Sequence, residues 1–359
     1  MFWINLLDPE SEDRYARDPA LLMQEIRALR NPVEWIVIDE VQKVPRLLDS
    51  VHAIIESKEI QNPPKFALTG SSVRKLKRGG ANLLAGRAFV NHLFPLTHRE
   101  LGESFCLDEI LKWGSLPKKF SFTEDKERQA FLRSYALTYL KEEVWAEHLV
   151  QDLEPFRKFL EIAAQMNGHL INFSKIAQDV SIDDKTVKKY FQILEDILLG
   201  IVLEPYAKSV RKRQLKSPKF YLFDLGVKRA LDRTLTNTLN KQTYEYGRAF
   251  EHFVIAEMHR LHEYNPKDFH FSFFNTQNGT EVDLIVDRPG MPTALVETKS
   301  TTQVSEDDTS VLKNLKRDIP NSEAFLFITG FHRKKNRQYL VLAVATWNAG
   351  DWSCVVHGF

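Results

Sequence analysis

The chain has 359 residues, 43% hydrophobic and 27% charged, with a formal net charge of +1. That length allows two or three domains, and that composition excludes a disordered chain. A balance so near zero argues neither for nor against nucleic acid, and two distant cysteines, Cys106 and Cys354, exclude a disulfide framework and a cysteine zinc site.

The cysteine usage fits a reducing cytoplasm, the expected compartment. No apolar run approaches the roughly 18 residues of a membrane span, so no membrane partner is expected. Residues 2–7 are apolar, but too short and without the basic flank of a signal peptide. They read as a strand that stops at Pro9 and has no lead-in. Leu21, Leu22, Ile26 and Leu29 then recur at helical spacing.

Residues 33–42 read VEWIVIDEVQ. The run Trp35 to Ile38 suits a strand buried on both faces of a parallel sheet, and Asp39 and Glu40 stand at its carboxyl end. In open α/β sheets that end borders the ligand crevice. A buried strand ending in a solvated acidic turn reads equally well. Leu47, Leu48, Val51, Ile54 and Ile55 make an amphipathic helix ending near Lys58. Residues 65–70 form a second buried strand, followed by Ser71 and Ser72, which could touch a phosphate or cap a helix. Arg74 to Arg78 is a basic run, a solvated face or a phosphate or DNA contact. A further strand is expected over residues 88–93.

VEWIVIDEVQKVP, FALTGSSVRKLKRGGANLLAGRA and VNHLFPLTHREL, in this order, resemble a family of bacterial and archaeal AAA-type P-loop ATPases. The resemblance covers the whole chain. It implies an α/β fold with four parts: a partial doubly wound ATPase core over 1–100, a helical lid over 101–150, a winged helix over 151–235 and a restriction-endonuclease-like domain over 240–359. It also implies Mg²⁺ and ATP as cofactors, with Asp39 as the Walker B acid that holds the ion and Glu40 as the catalytic base. Ser71 and Ser72 would be sensor residues, and Arg87 an arginine finger acting within one subunit or across a homo-oligomer.

One motif is missing. Phosphate binding in such enzymes needs GxxxxGK[ST], and none of the fifteen glycines is followed by lysine. In the family that motif lies upstream of the strand that opens here at Phe2. The expectation is therefore that the chain starts late, lacking a βα unit of about 40 residues. Alone, it is not expected to hydrolyse ATP.

Residues 101–149 read as helical. Phe156, Phe159, Leu160, Ile162, Ala163 and Met166 line a helix, a short helix follows over 175–180, and a third carries Val187, Tyr190, Phe191, Leu194 and Ile197. Lys185, Lys188 and Lys189 face outward near the start of the third, the end that enters the major groove in helix-turn-helix proteins. VRKRQLKSPK adds Arg211, Lys212, Arg213, Lys216 and Lys219 as a basic wing. Duplex DNA is thus a candidate partner, alongside a purely structural or protein-docking role. Binding through phosphates would weaken steeply with salt.

From Tyr244 the chain reads as helix, strand (269–275), strand with Asp283, strand with Glu297 and Lys299, helix, and strands over 323–329 and 339–346. Glu297 and Lys299 share one side of their strand because side chains alternate. Clustered carboxylates with a nearby cation suit metal-dependent phosphodiester hydrolysis. The set resembles the PD-(D/E)XK nuclease signature, with Val282 where proline is usual. In that resemblance Glu251 joins Asp283 and Glu297 as metal ligands, and Lys299 is the catalytic cation. An exposed hairpin with ordinary charges is the plain alternative. Three functions stay open: an ATPase linked to nucleic acid, a metal-dependent nuclease or DNA-binding protein, and a non-catalytic interaction protein.

Overall fold

Strand β1 (Phe2–Asn5) opens the chain and pairs in parallel with β2 (Trp35–Asp39), which pairs in parallel with β3 (Lys65–Leu68). The structure is a computed structural model that describes residues 1–29, 33–58, 60, 62–70, 86–139, 150, 152–207, 217–276, 280–301, 306–329 and 341–343. It has two compact units, Met1–Asn91 and His92–Phe359.

In the first unit the sheet order is β1-β2-β3, so β2 is central and buries Ile36, Val37 and Ile38, as its apolar run requires. Helices α1 (Pro9–Arg17), α2 (Leu21–Ala28) and α3 (Leu47–Ile55) belong to the same unit. Leu47, Leu48, Val51 and Ile54 of α3 are buried with Leu22, Ile36 and Ile38. The expected strand over 88–93 does not form: the residues are irregular, with Phe89, Val90 and Leu93 exposed. A strand needs a neighbour for its backbone groups, and among the described residues no ladder includes this segment.

The second unit begins with α4 (His98–Leu101), α5 (Leu107–Trp113) and α6 (Asp125–Ser134), which ends in a wider turn at Tyr135–Tyr139. Three helices follow, α7 (Leu153–Gln165), α8 (Phe173–Val180) and α9 (Asp184–Asp196), then an antiparallel pair, β4 (Gly200–Pro205) and β5 (Lys219–Leu222). The α7 and α9 faces read from the sequence meet here: Phe156, Phe159, Tyr190 and Phe191 are buried in one cluster with Phe220 of β5. Helix α10 (Leu225–Leu231) leads to the long α11 (Tyr244–Tyr264).

Strands β6 (His270–Asn275), β7 (Glu281–Asp287), β8 (Thr293–Lys299), β9 (Ser322–Ile328) and β10 (Val341–Ala343), with α12 (Glu306–Asp318), follow. The hairpin does not stand apart from them. Strand β4 pairs with β6 through Glu204 and Pro205, giving one seven-stranded sheet in the order β10-β9-β8-β7-β6-β4-β5. Helix α11 packs Phe250, Phe253 and Val254 against Leu284, Val286 and Val296, while Leu312 and Leu315 of α12 pack with Val282, Ile285 and Leu295. Among the described residues no helix is long and apolar enough to cross a membrane.

A cavity of 230 Å³ in this unit is lined by His92, Phe94, Glu195, His259 and Glu263, among others. His259 stacks edge-on against Phe94, with centroids 5.6 Å apart. Burial lowers its pKa to about 4, opposed by Glu263 and reinforced by His262, Arg260 and His92. The folded state thus refuses a proton that the unfolded chain accepts from pH 6.5 downward. Stability is lost as pH falls from 6.5 towards 4, by at most about 3 kcal/mol from this group. Urea unfolding at pH 7 and pH 5 should show a smaller acid loss for His259→Phe than for the wild type; equal losses would remove His259 as the cause.

Candidate functional sites

Two sets of carboxylates stand out, one at a strand end in the first unit and one within the sheet of the second. In the first, Asp39 ends β2 and Thr69 follows β3. Thr69 Oγ1 donates to Asp39 Oδ1 in a short contact and accepts from the Glu40 backbone N–H at 3.2 Å. The Thr69 carbonyl accepts from the Val41 N–H at 3.0 Å. Glu40 lies in the left-handed region (φ 59°, ψ 44°), an uncommon conformation for a residue with a side chain. Strain of this kind gathers where a turn must aim a functional group. Glu40 also accepts from Gln42 Nε2. Thr69 was not singled out from the sequence, although it lies directly before the Gly70-Ser71 pair. Ser71 and Ser72 fall outside the described residues. Arg87 bonds Glu56 at 2.6 Å, and both side chains are substantially exposed.

The second set lies in the seven-stranded sheet. The pairs Ser272↔Ile285 and Phe274↔Val282 are two residues apart on β6 and three apart on β7. The extra residue is a β-bulge across Asp283-Leu284, which breaks the alternation of β7 and re-aims a side chain. Accordingly Val282 packs with α12 whereas both Leu284 and Val286 pack with α11. Ligand oxygens of Glu251, Glu281 and Asp283 lie within 4.8 Å of one another. Asp283 accepts from the Thr298 N–H at 2.8 Å and its hydroxyl at 2.6 Å. On β8, Lys299 Nζ bonds Glu297 Oε1 at 2.7 Å. Glu297 Oε2 is buried and has no hydrogen-bond partner among the described residues.

Burial, then the charges of Glu251 and Glu297, hold the Asp283 carboxyl well above the usual range. Burial raises Glu297 too, against the pull of Lys299. A buried carboxylate oxygen without a donor, beside crowded carboxylates, is a donor set that fits a hard divalent cation. Such an ion would supply the positive charge the site lacks.

The structure therefore brings together Asp283, Glu297, Lys299 and Glu251, and adds groups the sequence reading passed over. Glu281 is two residues before Asp283. Tyr221 OH bonds Glu251 Oε1 at 2.6 Å, and Arg248 Nη1 bonds Glu251 Oε2 at 2.7 Å. Lys219 corrects an expectation. It was grouped with the outward basic wing, yet it is 1% exposed and contacts Glu251 and Glu281. Its place in β5, where all four residues are buried, explains the difference. Lys185, Lys188 and Lys189 are exposed on α9 as expected. Arg211, Lys212, Arg213 and Lys216 lie outside the described residues.

Comparison with known proteins gives three family matches along the chain. Residues 1–102 match the AAA domain family. Residues 105–239 and 246–347 match two families described as domains of unknown function, DUF8612 and DUF4143. The AAA and DUF4143 matches together support an AAA-like ATPase family and, with it, nucleotide binding in general. An uncharacterized protein of Mycobacterium tuberculosis is 26% identical over 83% of this chain, and so is one of Mycobacterium bovis. An uncharacterized protein of Haemophilus influenzae is 22% identical over 68% of the chain and 62% of its own length. The matched region spans 65% of the mycobacterial relatives' length.

Proposed function

We propose that this chain is part of an AAA-like ATPase linked to nucleic acid, and that nucleotide hydrolysis requires a phosphate cradle this sequence does not contain. The observation that carries the reading is the clasp at the end of β2, where Thr69 holds both the Asp39 carboxylate and the Glu40 backbone N–H. Asp39 would hold Mg²⁺, and Glu40, aimed by its left-handed turn, would orient the attacking water. Bound Mg²⁺ would neutralise charge on the transferring phosphoryl group. Arg87 would have to leave Glu56 to act as an arginine finger, on its own subunit or on a neighbour in a homo-oligomer. Calorimetric titration of Mg-ATP into this chain is expected to give no saturable binding in the micromolar range. Binding there would overturn the requirement for an external cradle.

A second reading has its own support in Glu297 Oε2, which is buried and has no partner among the described residues. The second unit would be a PD-(D/E)XK-like nuclease domain, with Asp283 and Glu297 holding a divalent cation and Lys299 meeting the scissile phosphate. Helices α7–α9 with β4 and β5 would be a winged helix that presents Lys185, Lys188 and Lys189 to duplex DNA, through phosphate contacts rather than base readout. Nuclease and ATPase separate in one comparison, cleavage of a labelled duplex against phosphate release, each with Mg²⁺.

A further inference from the structure

Lys219 begins β5, and its side chain is 2% exposed. Its ammonium lies 3.4 Å from Glu251 Oε1 and in short contact with Glu281 Oε1. Burial disfavours its charged form, and the two carboxylates set against it favour that form. Tyr221 and Arg248 also donate to Glu251, so both of its oxygens are engaged by the protein itself. Two of the three carboxylates whose ligand atoms cluster are thus already served by an internal cation. The contrast is Glu297, which keeps a buried oxygen without a donor among the described residues.

Charge balance points the same way. Among the described residues, four carboxylates, Glu251, Glu281, Asp283 and Glu297, face three cations, Lys219, Arg248 and Lys299. With all charged, one negative charge remains. Without Lys219 two would remain, which matches a divalent ion.

We propose that Lys219 is a built-in counter-ion of this site, which holds Glu251 and Glu281 out of metal coordination so that a divalent cation meets only Asp283 and Glu297. The inference rests on the metal-site reading above. A compact ammonium on a flexible stem suits the role, because it offers three donors and can be withdrawn without remaking the sheet. Glu251, which the sequence reading placed among the ligands, is then a ligand only when Lys219 leaves.

Calorimetric titration of MnCl₂ into the full chain tests this. Lys219→Met is expected to bind Mn²⁺ about ten-fold or more tightly than the wild type, since affinity follows the number of charged oxygen ligands. Adding Asp283→Asn to Lys219→Met should abolish the gain. Equal or weaker binding by Lys219→Met overturns the counter-ion role, and if the wild type still binds, the metal site itself stands. Binding by neither chain overturns both. Should Lys219→Met fail to fold, Lys219→Met/Glu281→Gln removes the buried contact from both sides and still frees Glu251. It too must bind more tightly than the wild type, or the inference fails.

Discussion

Asp283→Ala and Lys299→Ala are each expected to abolish Mg²⁺- or Mn²⁺-dependent cleavage of a labelled duplex, with losses of at least about 10²–10³-fold. Asp283 offers a carboxylate fixed by two bonds from Thr298, at 2.8 and 2.6 Å, at the bulge of β7. An ion held there would lose one of its few hard ligands. Lys299 carries the only cation of the site with a side chain as much as 39% exposed among Lys219, Arg248 and Lys299, so it is the one placed to reach a phosphate from solvent. Neither change should unfold the protein. Replacing Asp283 removes a carboxyl whose burial, beside Glu251 and Glu297, is itself unfavourable, which offsets part of the loss of its bonds to Thr298. Melting temperatures at pH 7 should therefore stay within a few degrees of the wild type. Cleavage that survives both substitutions would come from another site, and a wild-type chain without cleavage would sink the nuclease reading.

The parts of this site that were legible in the sequence share a cause. Glu297 and Lys299 share a side because their apolar strand alternates, Asp283 stands out as the one acid inside an apolar run although a bulge decides where it points, and Glu251 sits on a helix whose apolar face is unmistakable. Strands β2 and β3 and helix α3 declared themselves in the same way. What stayed hidden depends on contacts between distant segments. Lys219 follows four basic residues and looks like part of a solvated wing. Only the pairing of β5 with β4, and of β4 with β6, brings it beside Glu281, 62 residues later. Helix α1 was missed because Tyr15 is its one buried residue, so it has almost no apolar period; its start is set instead by Asp8, which caps Ser11, and by Pro9. The expected strand over 88–93 had the composition of a strand, but composition cannot supply a neighbouring ladder. Thr69 was passed over for the serines beside it, because a hydroxyl's partner across two strands leaves no local signal.

Asp224→Ala is expected to destabilise the second unit by about 3–5 kcal/mol. Asp224 is fully buried at the start of α10 and caps it by accepting from the Val227 N–H at 3.0 Å. Its other oxygen accepts from the Ser115 N–H at 2.7 Å. Ser115 Oγ in turn receives Arg260 Nη1 at 2.9 Å, and Arg260 also donates to the Phe223 carbonyl. One carboxylate thus ties α10, the turn after α5 and α11 together. The turn has no room for an alternative: a Cβ on Gly114 would lie 2.1 Å from the Asp224 carboxylate, and Gly114 has φ +71°. Burial raises the Asp224 pKa, with Arg260 and the backbone donors opposing it, so the site costs desolvation that only intact bonding offsets. Alanine would leave two buried N–H donors without acceptors and deprive Arg260, 2% exposed, of a balancing charge. Asp224→Asn keeps the shape and one acceptor and should cost less. Urea unfolding of the full chain, followed by circular dichroism, measures both. A loss below about 1 kcal/mol for the alanine variant would mean that the three helices are held by packing alone.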